Sequence, residues 1–389
     1  MRDELYRPLG QDLQPTDSRS PPQTGRWIAA ASAIALLAAG SAFTAATQPH
    51  FAPAPAAPSP EPILSAKLAE TPPPEPSIVR MNPNGGVTIT DGMGTRPLVD
   101  DANPYTGSIR VLEPGSLRQP QAFAHLPDQE LLEMTDGGAL PVRGGDGRRP
   151  LDVYAGAWSG SGGTRIALVV GGIGISQTGS QKAVNDLPPS VTLGFAAEGN
   201  SLDRWMQSAR RSGHELVLQA PLEPMGYPQV SAGEHTLTVA DAAAGHFDAL
   251  RWSMGRLTNY VGVMNYMGAR FNADPAALQP FLGELSRRGL LYLDDGTSPR
   301  SQTRDVALAS GTPFAAADLV LDADRTPDAI ARQLDVLERI ARAKGTAIGS
   351  ASAFETTVDV IAAWTAAAQQ RGIEIVPISA LAFDPEART

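Results

Sequence analysis

The chain of 389 residues has no cysteine and only five histidines. The absence of cysteine excludes disulfide bridges, thiolate-bound zinc, iron–sulfur clusters and a cysteine nucleophile. No two histidines stand at a spacing that brings them onto one helix face, so a histidine-rich metal site would need ligands from distant parts of the chain. Acidic residues outnumber basic ones, and the formal net charge of −10 argues against electrostatic binding of nucleic acid.

Proline is concentrated in the first part of the chain. Residues 1–160 hold 22 of the 34 prolines, and residues 161–389 hold the other 12. Hydrophobic side chains make up 42% of the composition, which is enough for a sizeable core. We therefore expect an extended first part followed by a globular second part.

Residues 27–47 form an uncharged apolar run, WIAAASAIALLAAGSAFTAAT. As a helix with a rise of ~1.5 Å per residue, this run would span roughly 30 Å, the thickness of a bilayer's hydrocarbon core. Arg19 and Arg26 precede it, and the next basic residue is Lys67. The positive-inside rule then predicts a transmembrane anchor, with residues 1–26 as a disordered cytoplasmic tail and the rest of the chain across the membrane. A cleaved signal peptide and a buried helix of a soluble protein are the alternatives.

Two segments without helical periodicity follow the apolar run. Residues 48–80 are rich in proline and predict an extended, semi-rigid spacer. Residues 81–163 are rich in Gly, Pro and Asp, and we expect them to pack on the following domain or to stay partly disordered, without a core of their own. Within this segment, residues 126–134 predict a short helix and residues 151–154 a short strand.

Residues 164–381 alternate apolar runs with helical segments, and residues 382–389 form a tail. The runs are apolar throughout, which is typical of strands buried on both faces of a parallel sheet. This alternation favours an α/β fold of the (β/α) barrel type, and an open doubly wound sheet is the alternative. Strands are expected at 165–170, 191–197, 215–222, 260–266, 290–294, 317–321, 346–348 and 373–378. Helices are expected at 177–186, 242–257, 274–289, 326–345 and 355–371. A further helix is expected to be capped by Ser201 and to end at Gly213.

In such a barrel, functional side chains lie where strands end and loops begin. Asp294 and Asp295 follow one strand and Glu223 follows another. These carboxylates can do acid–base chemistry or hold a cation, and one of the two aspartates can instead cap the next helix or pair with Arg300.

Polar residues stand at the other strand ends as well. Asn265 and Tyr266 can hydrogen-bond a sugar or stabilise a packed loop, and Arg270 can bind an anionic group or form a structural ion pair. Gln219 and Ser350 complete this set of strand-end residues. His214 comes before its strand, at the opposite end of the barrel, so we expect a structural role for it.

A glycine-rich turn, Gly171-Gly172-Ile173-Gly174, follows the first strand of the barrel. Such a turn before a helix can cradle a phosphate. The third glycine of the dinucleotide pattern is replaced by Gln177, and the lysine of a P-loop is absent. We therefore interpret the turn as a tight connection at the barrel mouth and expect no nucleotide partner.

Five segments of the C-terminal part follow one another in a fixed order. They are RIALVVGGIG, GHELVLQAPLEP, GVMNYMGARF, LLYLDDGTSPRS and TAIGSASAFETTVDVI. In this order they resemble the divergent polysaccharide deacetylase family over roughly residues 164–381. The resemblance implies a distorted (β/α) barrel that faces the periplasm of a Gram-negative bacterium. It also implies that active relatives bind a divalent metal, usually zinc, through one Asp and two His and hydrolyse acetyl groups from glycans.

The chain departs from this family pattern at the positions that would supply metal ligands or a base. The pattern has Asp-Asp at Gly171-Gly172 and His at Gln219, Tyr266 and Ser350. Glycine has no side chain, glutamine and serine are weak neutral ligands, and tyrosine binds zinc rarely. The residues that remain are Glu223, Asn265, Arg270 and Asp294. We therefore expect no metal and no other cofactor, with zinc only if the site is unusual.

Two functions remain open from the sequence. The first is a metal-free domain, anchored by residues 27–47 in the inner membrane and facing the periplasm, that binds a cell-envelope glycan or envelope protein and no nucleic acid. The second is an active carbohydrate deacetylase with an unusual site, in which Asp294 or Glu223 would be catalytic. A purely structural envelope partner without a ligand is a third interpretation. The expected pocket consists of Gly171, Gly172, Gln219, Asn265, Tyr266, Arg270, Asp295, Arg300 and Ser350.

Overall fold

The structure, a computed structural model, describes residues 117–387 and three short strands before them. These strands are Ile78–Met81 (β1), Val87–Asp91 (β2) and Gly94–Pro97 (β3), which pair in this order as an antiparallel sheet. They belong to a first compact unit, and Tyr105–Thr389 forms a second unit that contains the parallel sheet.

The predicted tail at 1–26 and transmembrane segment at 27–47 lie outside the described residues, as does the spacer at 48–80 apart from the start of β1. In the part of the chain that the structure describes, no helix combines the length and apolar character needed to cross a bilayer. The membrane anchor therefore stays a prediction from the sequence.

Residues 117–163 cover one end of the parallel sheet. They contain an antiparallel hairpin, Leu132–Thr135 (β4) and Gly138–Pro141 (β5), and a one-turn helix, Pro150–Val153 (α1). Four buried side chains of this segment, Leu131, Leu151, Val153 and Tyr154, pack against the interior of the sheet. The buried Arg210 donates hydrogen bonds to the carbonyl oxygens of Ala124 and Tyr154 and so fastens the segment to the rest of the second unit.

The second unit is built on a nine-stranded parallel sheet. Its strands are Thr164–Ile173 (β6), Thr192–Ala196 (β7), Leu216–Leu222 (β8), Gly262–Met267 (β9), Leu291–Asp294 (β10), Phe314–Ala316 (β11), Leu319–Val320 (β12), Thr346–Ser352 (β13) and Ile373–Val376 (β14). The strand order is β11-β10-β9-β8-β7-β6-β13-β12, and β14 pairs with the first half of β6.

The sheet curls so that its two edge strands meet. Only Ala317 and Asp318 separate β11 from β12 along the chain. The N–H of Ala317 donates to the Asp294 carbonyl oxygen over 2.9 Å, and the N–H of Asp318 donates to the Ile348 carbonyl oxygen over 2.8 Å. Consecutive residues of one segment thus bond to β10 and to β13, which supports a curled, half-barrel parallel sheet of the α/β class.

Helices cover the outside of the curled sheet. They are Gln177–Asp186 (α2), Leu202–Arg211 (α3), Val239–Ala243 (α4), Asp248–Met254 (α5), Pro275–Arg287 (α6), Thr303–Ser310 (α7), Pro327–Lys344 (α8) and Glu355–Gln370 (α9). Their ends follow local chemistry: the Asp274 carboxylate accepts hydrogen bonds from the first free N–H groups of α6, which begins with proline. Helix α8 likewise begins with Pro327 and ends at Gly345, whose φ of 86° favours glycine.

Alternate residues of each strand point to opposite sides of the sheet. Along β6, Ile166, Leu168 and Val170 pack in the layer between sheet and helices, whereas Ala167 and Val169 belong to the interior cluster. This period of two continues around the sheet, with interior positions at Val217, Met264, Leu293 and Ile348. The same alternation decides which residues face the open end of the interior.

Several predicted elements differ from the structure. Residues 151–154 form part of helix α1 and not a strand, because Pro150 sets a helical φ at its first position. The short helix predicted at 126–134 is a 3₁₀ turn, Gln129–Leu131, that leads into β4. The single helix predicted at 242–257 is divided into α4 and α5 around Gly245, which has a φ of 77°. Helix α7 was not predicted from the sequence. Ser201 precedes α3 as expected, but its side chain makes no capping hydrogen bond.

Candidate functional site

A cavity of about 520 Å³ opens at the carboxyl ends of the parallel strands. Its lining includes six of the predicted pocket residues, Gly171, Gly172, Gln219, Tyr266, Asp295 and Ser350. Gly171, Gln219, Tyr266, Asp295 and Ser350 are in phase with the interior residues of their strands. The cavity is therefore the open continuation of the barrel interior, and the alternation of the strands explains why these side chains meet.

Gln219 fills the space above Gly171. A Cβ atom added to Gly171 would lie 2.6 Å from Gln219 Nε2, and the Gln219 Oε1 atom accepts a 2.6 Å hydrogen bond from the N–H of Gly172. Gly194, on the neighbouring strand β7, also has little room for a side chain, since an added Cβ would lie 3.0 Å from Gly171 Cα. Gly171 and the buried Gln219 carboxamide thus form the floor of the cavity, and Gly194 packs against both of them.

Asp294 is buried and faces away from the cavity. Its Oδ1 accepts a hydrogen bond from the N–H of Gly296 over 3.0 Å, and its Oδ2 accepts one from the Ser301 hydroxyl. These contacts stabilise the loop between β10 and α7. The catalytic role predicted for Asp294 stays a prediction, and its bonding is that of a turn-stabilising carboxylate.

Asp295 lines the cavity and is held by neighbours on two other strands and in its own loop. Its Oδ1 accepts hydrogen bonds from the N–H and hydroxyl of Thr297 at 2.9 and 2.7 Å. Its N–H donates to Asn265 Oδ1 over 2.9 Å, and its carbonyl oxygen accepts a 2.7 Å hydrogen bond from Ser350 Oγ. Burial raises the pKa of the Asp295 carboxyl, although the hydrogen bonds from Thr297 oppose this shift.

Asn265 and Ser350 position the cavity floor, and their hydrogen bonds go to the protein backbone. Both are buried, and each bonds to the backbone of Asp295. The Asn265 amide also donates over 2.7 Å to the carbonyl oxygen of Met267, a residue with a φ of 57°. This bond supports the left-handed turn that presents Tyr266 and Met267 at the rim, where both are exposed.

Two of the predicted site residues, Glu223 and Arg270, form an ion pair beside the cavity. Arg270 Nε lies 2.7 Å from Glu223 Oε1. The other carboxylate oxygen, Oε2, accepts a 2.6 Å hydrogen bond from the N–H of Val239 at the start of α4. Neither residue lines the cavity, so the catalytic role of Glu223 also stays a prediction from the sequence.

Two further predicted residues lie away from the cavity lining. Arg300 is exposed in the loop before α7. His214 is fully buried at the amino-terminal end of the strands, with its ring nitrogens 2.9 and 3.3 Å from the carbonyl oxygens of Val191 and Val184. Burial lowers the pKa of His214, and its contacts agree with the expected structural role.

Two cavity carboxylates were missed from the sequence, Glu198 and Asp322. Asp322 is 7% exposed, and its Oδ2 accepts hydrogen bonds from the Ser352 N–H over 2.8 Å and the Thr357 hydroxyl over 3.2 Å. Burial raises the pKa of Asp322. Each of the two residues directly follows a predicted strand, at 191–197 and 317–321. The strand-end rule that selected Asp294 and Asp295 would have found them.

The comparison with protein families identifies the second unit. The model of the divergent polysaccharide deacetylase family matches residues 168–382, which is more than half of the chain. The chain belongs to this family. The resemblance inferred from the five ordered segments is therefore confirmed.

Relatives of this chain are found in several bacteria. A crystal structure of an uncharacterized protein from Agrobacterium tumefaciens C58 is 56% identical, with a TM-score of 0.61, and the match covers 63% of this chain and 99% of that chain. An uncharacterized protein of Haemophilus influenzae Rd is 21% identical over 200 residues, which is 51% of this chain and 70% of the relative. The uncharacterized protein YibQ of Escherichia coli K12 is 21% identical over 197 residues, 51% of this chain and 61% of YibQ. These similarities give the family and the fold but not a reaction.

The cavity of this family member does not fit a zinc ion. The space that an Asp side chain would need at position 171 is taken by the Gln219 carboxamide, which is already bonded to the backbone. Ser350 Oγ likewise donates to a carbonyl oxygen. Within residues 117–387, no group of three or more His, Asp or Glu side chains is arranged to hold a metal ion. We therefore assign no metal-dependent step to this site.

Proposed function

We propose that this divergent polysaccharide deacetylase binds a cell-envelope glycan in the strand-end cavity without hydrolysing it. The observation that carries the proposal is the close fit of Gly171 and Gln219 on the cavity floor, where a carboxamide bonded to the Gly172 N–H takes the place of metal ligands. A volume of about 520 Å³ suits a small-molecule site, for which roughly 300–1,000 Å³ is usual.

The rim and floor of the cavity offer the two kinds of contact that a sugar needs. Tyr266 is 45% exposed at the rim, and its ring can pack against the apolar face of a pyranose. Gln219, Thr297 and Ser352 line the same cavity with amide and hydroxyl groups that can hydrogen-bond sugar hydroxyls. Family membership supports a carbohydrate as the bound molecule. The replacement of the residues that would hold a metal ion supports binding over hydrolysis.

We expect Tyr266→Ala to weaken glycan binding by about tenfold, because stacking on an aromatic ring contributes on the order of 1–1.5 kcal/mol. Titration calorimetry of the full chain with soluble peptidoglycan and chitin fragments would measure this loss. Phe123→Ala is the matched control, since Phe123 is also exposed but lies in the segment that covers the opposite end of the barrel. Equal affinity of the Tyr266→Ala variant and the unaltered chain would contradict the proposed site.

An active deacetylase is the second candidate, and the buried carboxyls at the cavity favour it. Burial raises the pKa of Asp295 and Asp322, as it does for many general acids and bases. Incubation of the same acetylated fragments with the chain would distinguish the candidates. Acetate release that is lost in Asp295→Asn would support hydrolysis, and binding without acetate would support the proposed function.

We further propose that residues 27–47 anchor the chain once in the inner membrane, with the N-terminus in the cytoplasm and residues 164–381 in the periplasm. The uncharged length of the run and the arginines before it support this topology. A phosphatase that folds only in the periplasm should be active when fused after residue 389. An active cytoplasm-dependent reporter at that position would contradict the topology.

A further inference from the structure

Every charged side chain that lines the cavity is acidic. The charged residues of the lining are Glu198, Asp295 and Asp322, and the lining described by the structure contains no Lys, Arg or His. Arg325 is the cation that acts on Asp322, but its guanidinium lies 3.9 Å over the Phe354 ring and outside the cavity lining. A ligand at the bottom of this cavity therefore meets a negative potential.

Asp322 presents an oxygen without a partner to this cavity. Its side chain is more than nine-tenths buried, and both hydrogen bonds that it accepts go to Oδ2. Among the described residues, no residue other than Asp322 itself donates a hydrogen bond to its Oδ1. This oxygen is open to solvent, so it is free to accept a hydrogen bond from a ligand, and a charged donor gives the strongest such bond.

Ser350 hydrogen-bonds both to Asp295 and to the residue before Asp322, so the two aspartates are held near one another. The Ser350 hydroxyl donates to the Asp295 carbonyl oxygen, and the Ser350 carbonyl oxygen accepts a 2.8 Å hydrogen bond from the N–H of Leu321, next to Asp322. The two carboxyls are therefore on adjoining parts of one cavity wall. Glu198, which follows the end of strand β7, adds an exposed third carboxylate.

Resting on the glycan-binding function proposed above, we propose that the cavity selects an amino sugar whose nitrogen is free, as a primary ammonium group, over the N-acetylated sugar. The ammonium group would donate to the carboxylates at Asp322 and Asp295, and the sugar ring would pack against Tyr266. An N-acetyl group at the same position is neutral and bulkier, and it offers only one amide N–H to the carboxylates of Asp322 and Asp295.

The apolar rim favours a sugar over a basic peptide as the source of the ammonium group. Ile175, Tyr266 and Met267 are exposed around the cavity mouth, where an extended lysine peptide would leave its other charges unpaired. A glucosamine unit places its ammonium group directly on a ring that has an apolar face. The site would then recognise the product of glycan deacetylation.

Calorimetry of the full chain in mild detergent with three probes tests this selectivity. The probes are a glucosamine tetramer, the N-acetylglucosamine tetramer of the same linkage, and tetralysine. Because a charged hydrogen bond contributes about 1.5–3 kcal/mol, we expect the glucosamine tetramer to bind at least about tenfold tighter than either other probe. Binding of the N-acetylated tetramer with equal or higher affinity would overturn the selectivity and leave the proposed function standing. Absence of binding to both tetramers would overturn the proposed function itself.

Substitutions of single carboxylates test whether they cause the preference for the glucosamine tetramer. Asp322→Asn should reduce the preference for the free amine by about tenfold while retaining binding of the N-acetylated tetramer. If this variant does not fold, the exposed Glu198→Gln serves instead, with a smaller reduction in the same direction. Asp248→Asn, which removes an exposed charge on α5, should leave the preference unchanged. Equal loss in the Asp248→Asn variant, or tetralysine binding as tightly as the glucosamine tetramer, would show general charge attraction and overturn the proposal.

Discussion

Glu215→Ala is expected to lower the free energy of unfolding by about 3–5 kcal/mol, the range seen when a buried charged network loses one member. Glu215 is fully buried directly before β8, at the end of the barrel opposite the cavity. Its Oε2 accepts hydrogen bonds from the N–H of Gly156 at 2.7 Å and from the Ser379 hydroxyl. Its Oε1 accepts from the N–H of Ser379 at 3.0 Å and the Thr192 hydroxyl at 3.3 Å.

This one carboxylate joins three separate parts of the chain. Gly156 belongs to the segment before the barrel, Thr192 begins β7, and Ser379 lies in the turn after β14. Without Glu215 these donors would be buried without an acceptor, which costs free energy in addition to the lost hydrogen bonds. Glu215→Gln should also destabilise, because its amide would place two N–H groups opposite existing donors.

Urea unfolding of the full chain would measure this loss of stability as a lower midpoint concentration of urea, with an unchanged dependence of the unfolding free energy on urea. Glu234→Ala is the matched control, since Glu234 is exposed and an exposed substitution should change stability by no more than about 0.5 kcal/mol. The folded Glu215→Ala variant should bind glycan normally, because the cavity is at the other end of the strands. A loss below about 1 kcal/mol would contradict the assigned network.

Eight of the nine strands of the parallel sheet could be predicted from the sequence because they are largely apolar runs. The three-residue β11 was missed, and the strand predicted at 317–321 corresponds to β12 alone. Segments such as RIALVV and LLYLDD do not alternate between polar and apolar residues. Their sequence therefore predicts where the strands lie but not which of their side chains face the interior. In the structure, Leu291 and Leu293 face the interior and Tyr292 faces the helices. This phase puts Asp295 in the cavity and Asp294 outside it. The sequence therefore supplied both aspartates and could not say which one meets a ligand.

Contacts between strands that are distant in sequence were beyond prediction for the same reason. Gln219 was included in the pocket as a strand-end residue and as a replaced family position, without any contact being predicted for it. Its bond to the Gly172 N–H depends on the register that pairs Ala196 of β7 with Gln219 of β8. Helix α7 was missed because its eight residues, TRDVALAS, are too short for a clear apolar period. The predicted segments before residue 78 lie outside the described residues and stay predictions.

Gly171→Asp, which restores a family residue at the first strand end, is expected to destabilise the chain by about 2–5 kcal/mol, the sum of overpacking and of burying a carboxylate without donors. The added Cβ would lie 2.6 Å from Gln219 Nε2, so the carboxamide must leave its bond to Gly172. The new carboxylate would also face the acidic wall formed by Asp295 and Asp322. The same urea measurement applies, with Gly283→Ala as the control glycine, since nothing lies within 4 Å of its added Cβ in α6.

The second substitution Gln219→Ser should recover part of this loss, because it removes the side chain that the introduced aspartate would displace. A double-mutant cycle would then give a favourable coupling of about 0.5–3 kcal/mol between the two positions, as expected for side chains in direct contact. Additive effects of Gly171→Asp and Gln219→Ser would show that the two residues are not fitted to each other. In that case the cavity floor on which the proposed glycan site depends would need a different explanation. A measured coupling would instead mean that the glycine and the glutamine depend on one another, so that restoring a single family residue cannot restore the family's site.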